Sequence, residues 1–132
     1  MSKKHPAYST NSNFIKQRIA SFKFALMGFK WLMRTEPNAR FHLLATLLVL
    51  VLGTILHLSA FEWLWIILAV ILVYIAELLN TALEYLADAL HPEHHPKVGK
   101  AKDMAAAATL LASIFAVLVG IIVFGSKLLP IL

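Results

Sequence analysis

The chain alternates long apolar runs with short polar links, and this pattern predicts helices that cross a membrane. Residues 41–61, 63–76 and 104–126 contain no Asp, Glu, Lys or Arg. At about 1.5 Å per residue, an apolar helix of about 20 residues spans a hydrocarbon core of about 30 Å. We therefore predict an all-α integral membrane protein with three transmembrane helices, at about 41–61, 61–83 and 104–126.

A different pattern precedes the first apolar run. Between residues 14 and 34, apolar residues recur at alternating spacings of four and three, and lysines follow one edge of the stripe that they form. This is typical of an amphipathic surface helix whose lysines reach lipid phosphates at the membrane interface. A helix that packs the stripe on the bundle is the alternative, and the two are compatible. The stripe consists of Ile15, Ile19, Phe22, Leu26, Phe29 and Met33.

The segments between these helices carry the usual signals of chain breaks. Residues 1–13 are polar and are expected to form a disordered leader. Pro37 disfavours helical geometry at Glu36, so we predict a break there, and residues 35–132 then form the three-helix transmembrane domain. Small residues follow one face of the last helix and favour close helix approach, which together with the small size indicates an oligomeric bundle. These residues are Ala101, Ala105, Ala108 and Ala112.

Composition limits the chemistry that is available. The chain has 132 residues, of which 60% are hydrophobic and 14% charged, so one small soluble core could not bury its apolar side chains. It contains no cysteine, which excludes a disulfide framework, a thiolate metal site and a cysteine nucleophile. Catalysis would therefore depend on carboxylates, amides, histidines and lysines.

The positive charges are distributed asymmetrically. The net charge is +5, and all Lys and Arg except Lys127 lie in the first forty residues or between residues 97 and 102. The positive-inside rule therefore places the amino terminus in the cytoplasm and the carboxyl terminus outside. This charge also favours attraction to anionic lipid headgroups, whereas so apolar a chain is a poor candidate for nucleic acid binding.

An acidic stripe ends the second apolar run. On a helix, Glu77, Asn80, Glu84 and Asp88 fall within about 80° of one another. Carboxylates where a membrane helix meets water are costly to bury and are seldom unpaired, so the stripe indicates a functional site with a cation as its partner. A solvated helix end is the alternative, and it fits Asp88 better than Glu77.

The predicted topology places further polar groups on the cytoplasmic side of the membrane, together with the stripe. Oxygen ligands of this kind suit Mg²⁺, and Lys102 at a helix amino terminus could bind a phosphate. A carboxylate that faces a lipid hydroxyl could act as general base. These features together predict a lipid kinase, although the chain has neither a Walker-type loop nor the glycine-rich loop of soluble kinases. The added groups are Glu36, His94, His95, Lys102 and Asp103.

The histidines of the second link also raise the possibility of a transition-metal site. Two adjacent histidines cannot point the same way on a helix, and no cysteine supports them. We therefore favour a role in nucleotide binding, or a simple polar loop, over a zinc site. The histidines are His91, His94 and His95.

Four stretches carry a resemblance to a known family. They are R-T-E-P-N-A-R-F-H at 34–42, E-L-L-N-T-A-L-E-Y-L-A-D at 77–88, H-H-P at 94–96 and K-A-K-D-M-A-A-A at 100–107. In order and spacing they resemble the prokaryotic diacylglycerol kinase family, and in detail its undecaprenol kinase branch. The resemblance covers about 22–125.

The resemblance implies a kinase of the bacterial inner membrane that uses ATP and Mg²⁺. It implies a homotrimeric bundle of three spans and an amphipathic surface helix per chain, with active sites shared between neighbouring subunits. Glu77 would be the general base, and Glu36 and Glu84 would hold the metal ions that bridge the ATP phosphates. Asn80 and Asp88 would orient the catalytic groups and the lipid headgroup. The rest of the nucleotide site would comprise Glu93, His94, His95, Lys102 and Asp103.

The lipid substrate is less sharply indicated. Asn38 and His42 resemble undecaprenol kinases, whereas Arg40 resembles the enterobacterial diacylglycerol kinases. We therefore favour undecaprenol, with diacylglycerol as the alternative.

A small oligomeric transporter and a non-catalytic anchoring protein are alternatives of another class. A transporter would place its ionisable group near the midplane of the membrane, whereas Glu77 is in the last third of its span. An anchoring protein is disfavoured because the chain contains every catalytic residue that the resemblance implies.

Overall fold

The computed structural model describes residues 14–91, 93 and 95–129, and in this part of the chain every element is an α-helix. The predicted leader at 1–13 lies outside the described residues. The last three helices are long and apolar enough to cross a membrane, which confirms the prediction of an all-α, multi-pass membrane protein. The helices are α1 (Phe14–Thr35), α2 (Pro37–Ile55), α3 (Ala60–Leu90) and α4 (Pro96–Leu128).

The predicted break at Glu36 is confirmed. Glu36 is extended, with φ −101° and ψ 113°, and α2 starts at Pro37, which lacks the N–H that a first helical residue does not need. The N–H of Glu36 still donates to the carbonyl of Leu32 at 3.0 Å, so the last turn of α1 is complete. The Glu36 side chain makes no capping hydrogen bond to α2, which leaves the carboxylate available to a ligand.

The first span ends earlier than predicted, at Ile55 instead of residue 61. His57 adopts a left-handed conformation with φ 50°, and the N–H of Leu58 donates to the carbonyl of Gly53 at 3.0 Å, as in a Schellman motif. A capping box then starts α3, because Ser59 and Glu62 exchange side-chain and backbone hydrogen bonds. The pattern Ser59-x-x-Glu62 is visible in the sequence, but the uncharged run of residues 41–61 extends past Ser59 and led to the longer predicted span.

The core lies between α3 and α4, which share the longest contact, whereas α1 and α2 touch α3 over shorter stretches. It is apolar and occupies the half of these helices nearest the first loop. Partly buried aromatic side chains, among them Trp63 and Phe115, pack against it. The opposite half of α3 carries the acidic stripe, so one helix holds both the core and the candidate site. The core residues are Leu58, Ile66, Ala69, Val119 and Val123.

Most large apolar side chains of the described chain are exposed, as Phe41 and Ile122 illustrate at 70% and 71%. Such a surface requires hydrocarbon or another protein chain around it. The apolar stripe of α1 is also exposed from Ile15 to Leu26, and only Phe29, near its end, has a ring contact with the bundle. Within the single described chain, only the end of the stripe therefore contacts the other helices, and both the interfacial position of α1 and the packing of its stripe on the bundle stay predictions.

Candidate active site

The buried face of α3 changes from apolar to polar along its length. Its buried residues recur every three or four positions, so they form one stripe that faces the rest of the bundle. The apolar part ends at Val73, and the next buried residue is Glu77, which is only 3% exposed. Burial of a carboxylate is costly unless other groups compensate it, so this position is a candidate site. The buried stripe consists of Ile66, Ala69, Val73, Glu77 and Thr81.

The nearest compensating group is His42, from the second turn of α2. Its Nε2 lies 3.2 Å from Oε1 of Glu77, and its side chain is largely shielded. The ring is not aligned for a hydrogen bond, so Oε1 of Glu77 has no hydrogen-bond partner among the described residues. The sequence indicates His42 as a candidate for recognition of the lipid, and the structure adds its contact with the predicted base.

Four buried polar atoms cluster on this part of α3 without hydrogen-bond partners among the described residues. Buried polar groups nearly always have a partner, so such a cluster indicates that a ligand, water or a neighbouring subunit supplies it. Tyr74 and Thr81 did not enter the sequence prediction. Their spacing, three residues before Glu77 and four after it, would have placed them on its face. The atoms are Tyr74 Oη, Glu77 Oε1, Asn80 Oδ1 and Thr81 Oγ1.

Asn80 and Glu84 form a second pair, one turn further along the stripe. The side-chain amide of Asn80 donates to Oε1 of Glu84 at 3.1 Å, and both residues are half-buried. Within the part of the chain that the structure describes, no three His, Asp or Glu side chains converge on one point. Mg²⁺ is commonly held by one or two carboxylates, with water and phosphate oxygens as its other ligands, so the oriented carboxylate of Glu84 fits this ion.

The end of the stripe at Asp88 contacts α4, which starts at Pro96, so Lys102 is in the second turn of this helix and not at its amino terminus as predicted. Nζ of Lys102 lies 2.7 Å from Oδ1 of Asp88, and the two side chains are 34% and 68% exposed. An ion pair this exposed adds little to stability, although it does bring the two side chains together at the end of the stripe. An ammonium group has three donors, which lets Lys102 keep this contact and also bind a phosphate oxygen. Asp103 is exposed beside it.

The link between α3 and α4 holds the remaining predicted nucleotide residues. His95 caps α4 because its Nδ1 accepts a hydrogen bond from the backbone N–H of Lys97 at 3.3 Å. Its ring centroid is 5.4 Å from that of His91, at the end of α3. Glu93 is exposed, and His94 lies outside the described residues.

The structure therefore joins the predicted site residues in three pairs: Glu77 with His42, Asn80 with Glu84, and Asp88 with Lys102. Asn38 and Arg40 are exposed in the first turn of α2, and Glu36 is half-buried at the elbow. Between the described residues, no side-chain hydrogen bond or ion pair connects the remaining predicted residues to these pairs. They are Glu36, Asn38, Arg40, Glu93, His95 and Asp103.

Comparisons with known proteins agree on one family. The family described as prokaryotic diacylglycerol kinase matches residues 23–124. The chain is 36% identical over 116 residues to the undecaprenol kinase of Bacillus subtilis (strain 168), a match that covers 88% of this chain and 94% of that protein.

Two further relatives are named diacylglycerol kinase. The protein of Synechocystis sp. is 40% identical over 113 residues, which are 85% of this chain and 62% of that protein. The protein of Escherichia coli (strain K12) is 32% identical over 118 residues, which are 89% of this chain and 97% of that protein. The chain belongs to the prokaryotic diacylglycerol kinase family and is a lipid kinase of the diacylglycerol and undecaprenol kinase type.

Proposed function

We propose that this chain transfers the γ-phosphoryl group of ATP to the hydroxyl of a membrane lipid alcohol, most simply undecaprenol. The observation that carries the proposal is the Glu77 carboxylate, which is 3% exposed on a membrane-spanning helix and has an oxygen without a hydrogen-bond partner among the described residues. In a lipid kinase, a buried carboxylate at the end of a span is suited to take a proton from an alcohol.

The reaction would proceed in one displacement. Oε1 of Glu77 accepts the proton of the lipid hydroxyl while the hydroxyl oxygen forms a bond to the γ-phosphorus of ATP. The bond from that phosphorus to the bridging oxygen breaks, and ADP leaves with the electron pair. His42, whose Nε2 lies 3.2 Å from the same oxygen, would hold the carboxylate in place.

The charged pairs further along the stripe would serve the nucleotide. Glu84, oriented by Asn80, would hold Mg²⁺ together with Glu36. The metal ion would neutralise the charge of the phosphates. Lys102, positioned by Asp88, would donate to a phosphate oxygen. The remaining nucleotide contacts would come from Glu93, His94, His95 and Asp103.

Two lipids are candidates. The similarity to the Bacillus subtilis undecaprenol kinase over 94% of that protein supports undecaprenol, as does the resemblance of Asn38 and His42 to the residues of undecaprenol kinases. The higher identity to the Synechocystis diacylglycerol kinase, over 62% of that protein, and the presence of Arg40 support diacylglycerol as the second candidate.

The proposal extends to assembly and orientation. A homotrimer would cover part of the exposed apolar surface, and the amino terminus and site would face the cytoplasm of a bacterial inner membrane. The lysines of α1 would contact anionic headgroups.

The test is phosphate transfer from labelled ATP to undecaprenol and to diacylglycerol, compared in the same mixed micelles with Mg²⁺. We expect Glu77→Gln to lower turnover by about 100-fold or more, since a positioned base contributes that much, while ATP binding is retained. Glu62→Gln, the same change at the opposite end of α3, is the control. Near-normal turnover of Glu77→Gln would remove Glu77 as the base. Failure of the unmodified protein to phosphorylate either lipid would overturn the proposed function.

A further inference from the structure

An apolar cavity lies beside the candidate site, between α2, α3 and α4. Its volume is about 320 Å³, and its walls are almost entirely hydrocarbon, from Ile66 and Val73 on α3 to Val117 on α4. Cavities of this size and polarity bind the apolar part of small ligands. Four polar side chains reach it, namely His42, Thr46, Tyr74 and Ser113.

The hydroxyl of Tyr74 stands out among these groups. Thr46 donates to the carbonyl of His42 at 2.7 Å, so its hydroxyl is occupied within its own helix. Tyr74 Oη is buried and has no hydrogen-bond partner among the described residues. A buried hydroxyl left in this state destabilises the protein, and a ligand that accepts its hydrogen bond would remove the cost.

The position of Tyr74 is well defined. Its ring centroid lies 5.3 Å from that of Phe29, so a side chain of α1 packs against the ring of Tyr74. Tyr74 also precedes Glu77 by three residues, which places both side chains on one face of α3. His42 contacts Glu77 and lines the same cavity. His42 therefore connects the wall of the cavity to the carboxylate that is proposed to take the proton.

We infer that Tyr74 is a substrate-contacting residue: its hydroxyl donates a hydrogen bond to the oxygen of the lipid alcohol, whose adjoining hydrocarbon lies in the cavity. The alcohol proton points to Oε1 of Glu77. A hydrocarbon chain matches the apolar walls, whereas a nucleotide would leave its polar groups without partners there. This inference rests on the proposed function, because it assigns a role in binding the same acceptor.

The variant Tyr74→Phe tests it, since it removes the hydroxyl and keeps the ring that packs on Phe29. With undecaprenol or diacylglycerol as acceptor, we expect the KM for the lipid to rise by about 2- to 10-fold, the effect of one lost hydrogen bond. The KM for ATP should stay the same, and the thermal unfolding midpoint in detergent without the lipid substrate should not fall, because the variant removes a buried hydroxyl that has no partner among the described residues. Tyr85→Phe is the matched control, because Tyr85 is on the same helix and is 56% exposed.

Two results would overturn the inference while leaving the proposed function intact. One is an active Tyr74→Phe protein whose KM for the lipid equals that of the unmodified protein. The other is a loss of thermal stability or of oligomer without a change in that KM, which would assign the hydroxyl to a neighbouring subunit. An unmodified protein that phosphorylates neither lipid would instead refute the proposed function itself.

Discussion

At the scale of single residues, the site combines buried polar groups that have few hydrogen-bond or ion-pair partners among the described residues of the chain. Among the described residues, only His42 lies within ion-pair distance of Glu77, and two hydroxyls beside Glu77 have no hydrogen-bond partner. Polar groups of this kind are normally satisfied in stable cores, and where they persist they commonly belong to binding or catalytic sites. The hydroxyls are those of Tyr74 and Thr81.

The Asn80 and Glu84 pair leads to a prediction about the metal. Glu84→Gln keeps the shape of the side chain and an oxygen that accepts from Asn80, but it removes the negative charge. We expect the Mg²⁺-dependent part of ATP binding to weaken by about 10-fold or more. A titration of nucleotide binding at several Mg²⁺ concentrations measures this effect.

Glu62→Gln provides the control for this experiment. Glu62 caps the opposite end of α3 and pairs with Lys127 at 3.0 Å, far along the helix from the stripe. Its substitution should leave the Mg²⁺ dependence unchanged. If Glu84→Gln and the unmodified protein show the same Mg²⁺ dependence, Glu84 is not a metal ligand.

At the scale of elements, α3 organises the molecule. Its first half packs on α4 through the apolar core, and its second half presents the buried carboxylate and the charged pairs. The site is thus carried by a rigid, continuous helix, and α2 and α4 each contribute one partner, His42 and Lys102. A side chain on such a helix is held in a better defined position than one on a loop.

The contact between α2 and the start of α3 makes a prediction about stability. A Cβ atom on Gly53 would lie 2.6 Å from Cη2 of Trp63 and 2.9 Å from Cδ1 of Leu58, so a larger residue there would force these side chains to move. Gly53→Val should therefore destabilise the protein by about 1–3 kcal/mol through overpacking. Thermal unfolding in detergent would register this as a lower midpoint.

Gly28→Val is the matched control, because nothing lies within 4 Å of a Cβ atom at that position of α1. Helix propensity favours valine slightly over glycine, so its unfolding midpoint should not fall. An equal fall in the unfolding midpoint of both variants would show that the close approach of Gly53 to Trp63 is not the cause of the lower stability.

At the scale of the whole molecule, the exposed apolar surface leads to a prediction about assembly. Lipid would cover part of this surface in a trimer, and helices of neighbouring chains would cover the remainder by close contact where small residues such as Ala101 and Ala108 are exposed. We expect the active, detergent-solubilised protein to have the mass of three 14.7-kDa chains by light scattering, after correction for bound detergent. A fully active particle with the mass of one chain would contradict the trimer and the shared sites.

The sequence by itself determined the helices, the break at Pro37 and the grouping of Glu77, Asn80, Glu84 and Asp88 on one helix face. These features depend on neighbours a few residues apart, which helical periodicity and local backbone sterics place without further information. Only the tertiary structure decided that His42 meets Glu77 and that Lys102 meets Asp88. It also decided that Tyr74 lines a cavity and that its hydroxyl has no hydrogen-bond partner among the described residues. Contacts between helices depend on their relative rotation and displacement, which many side chains set together and no local pattern encodes.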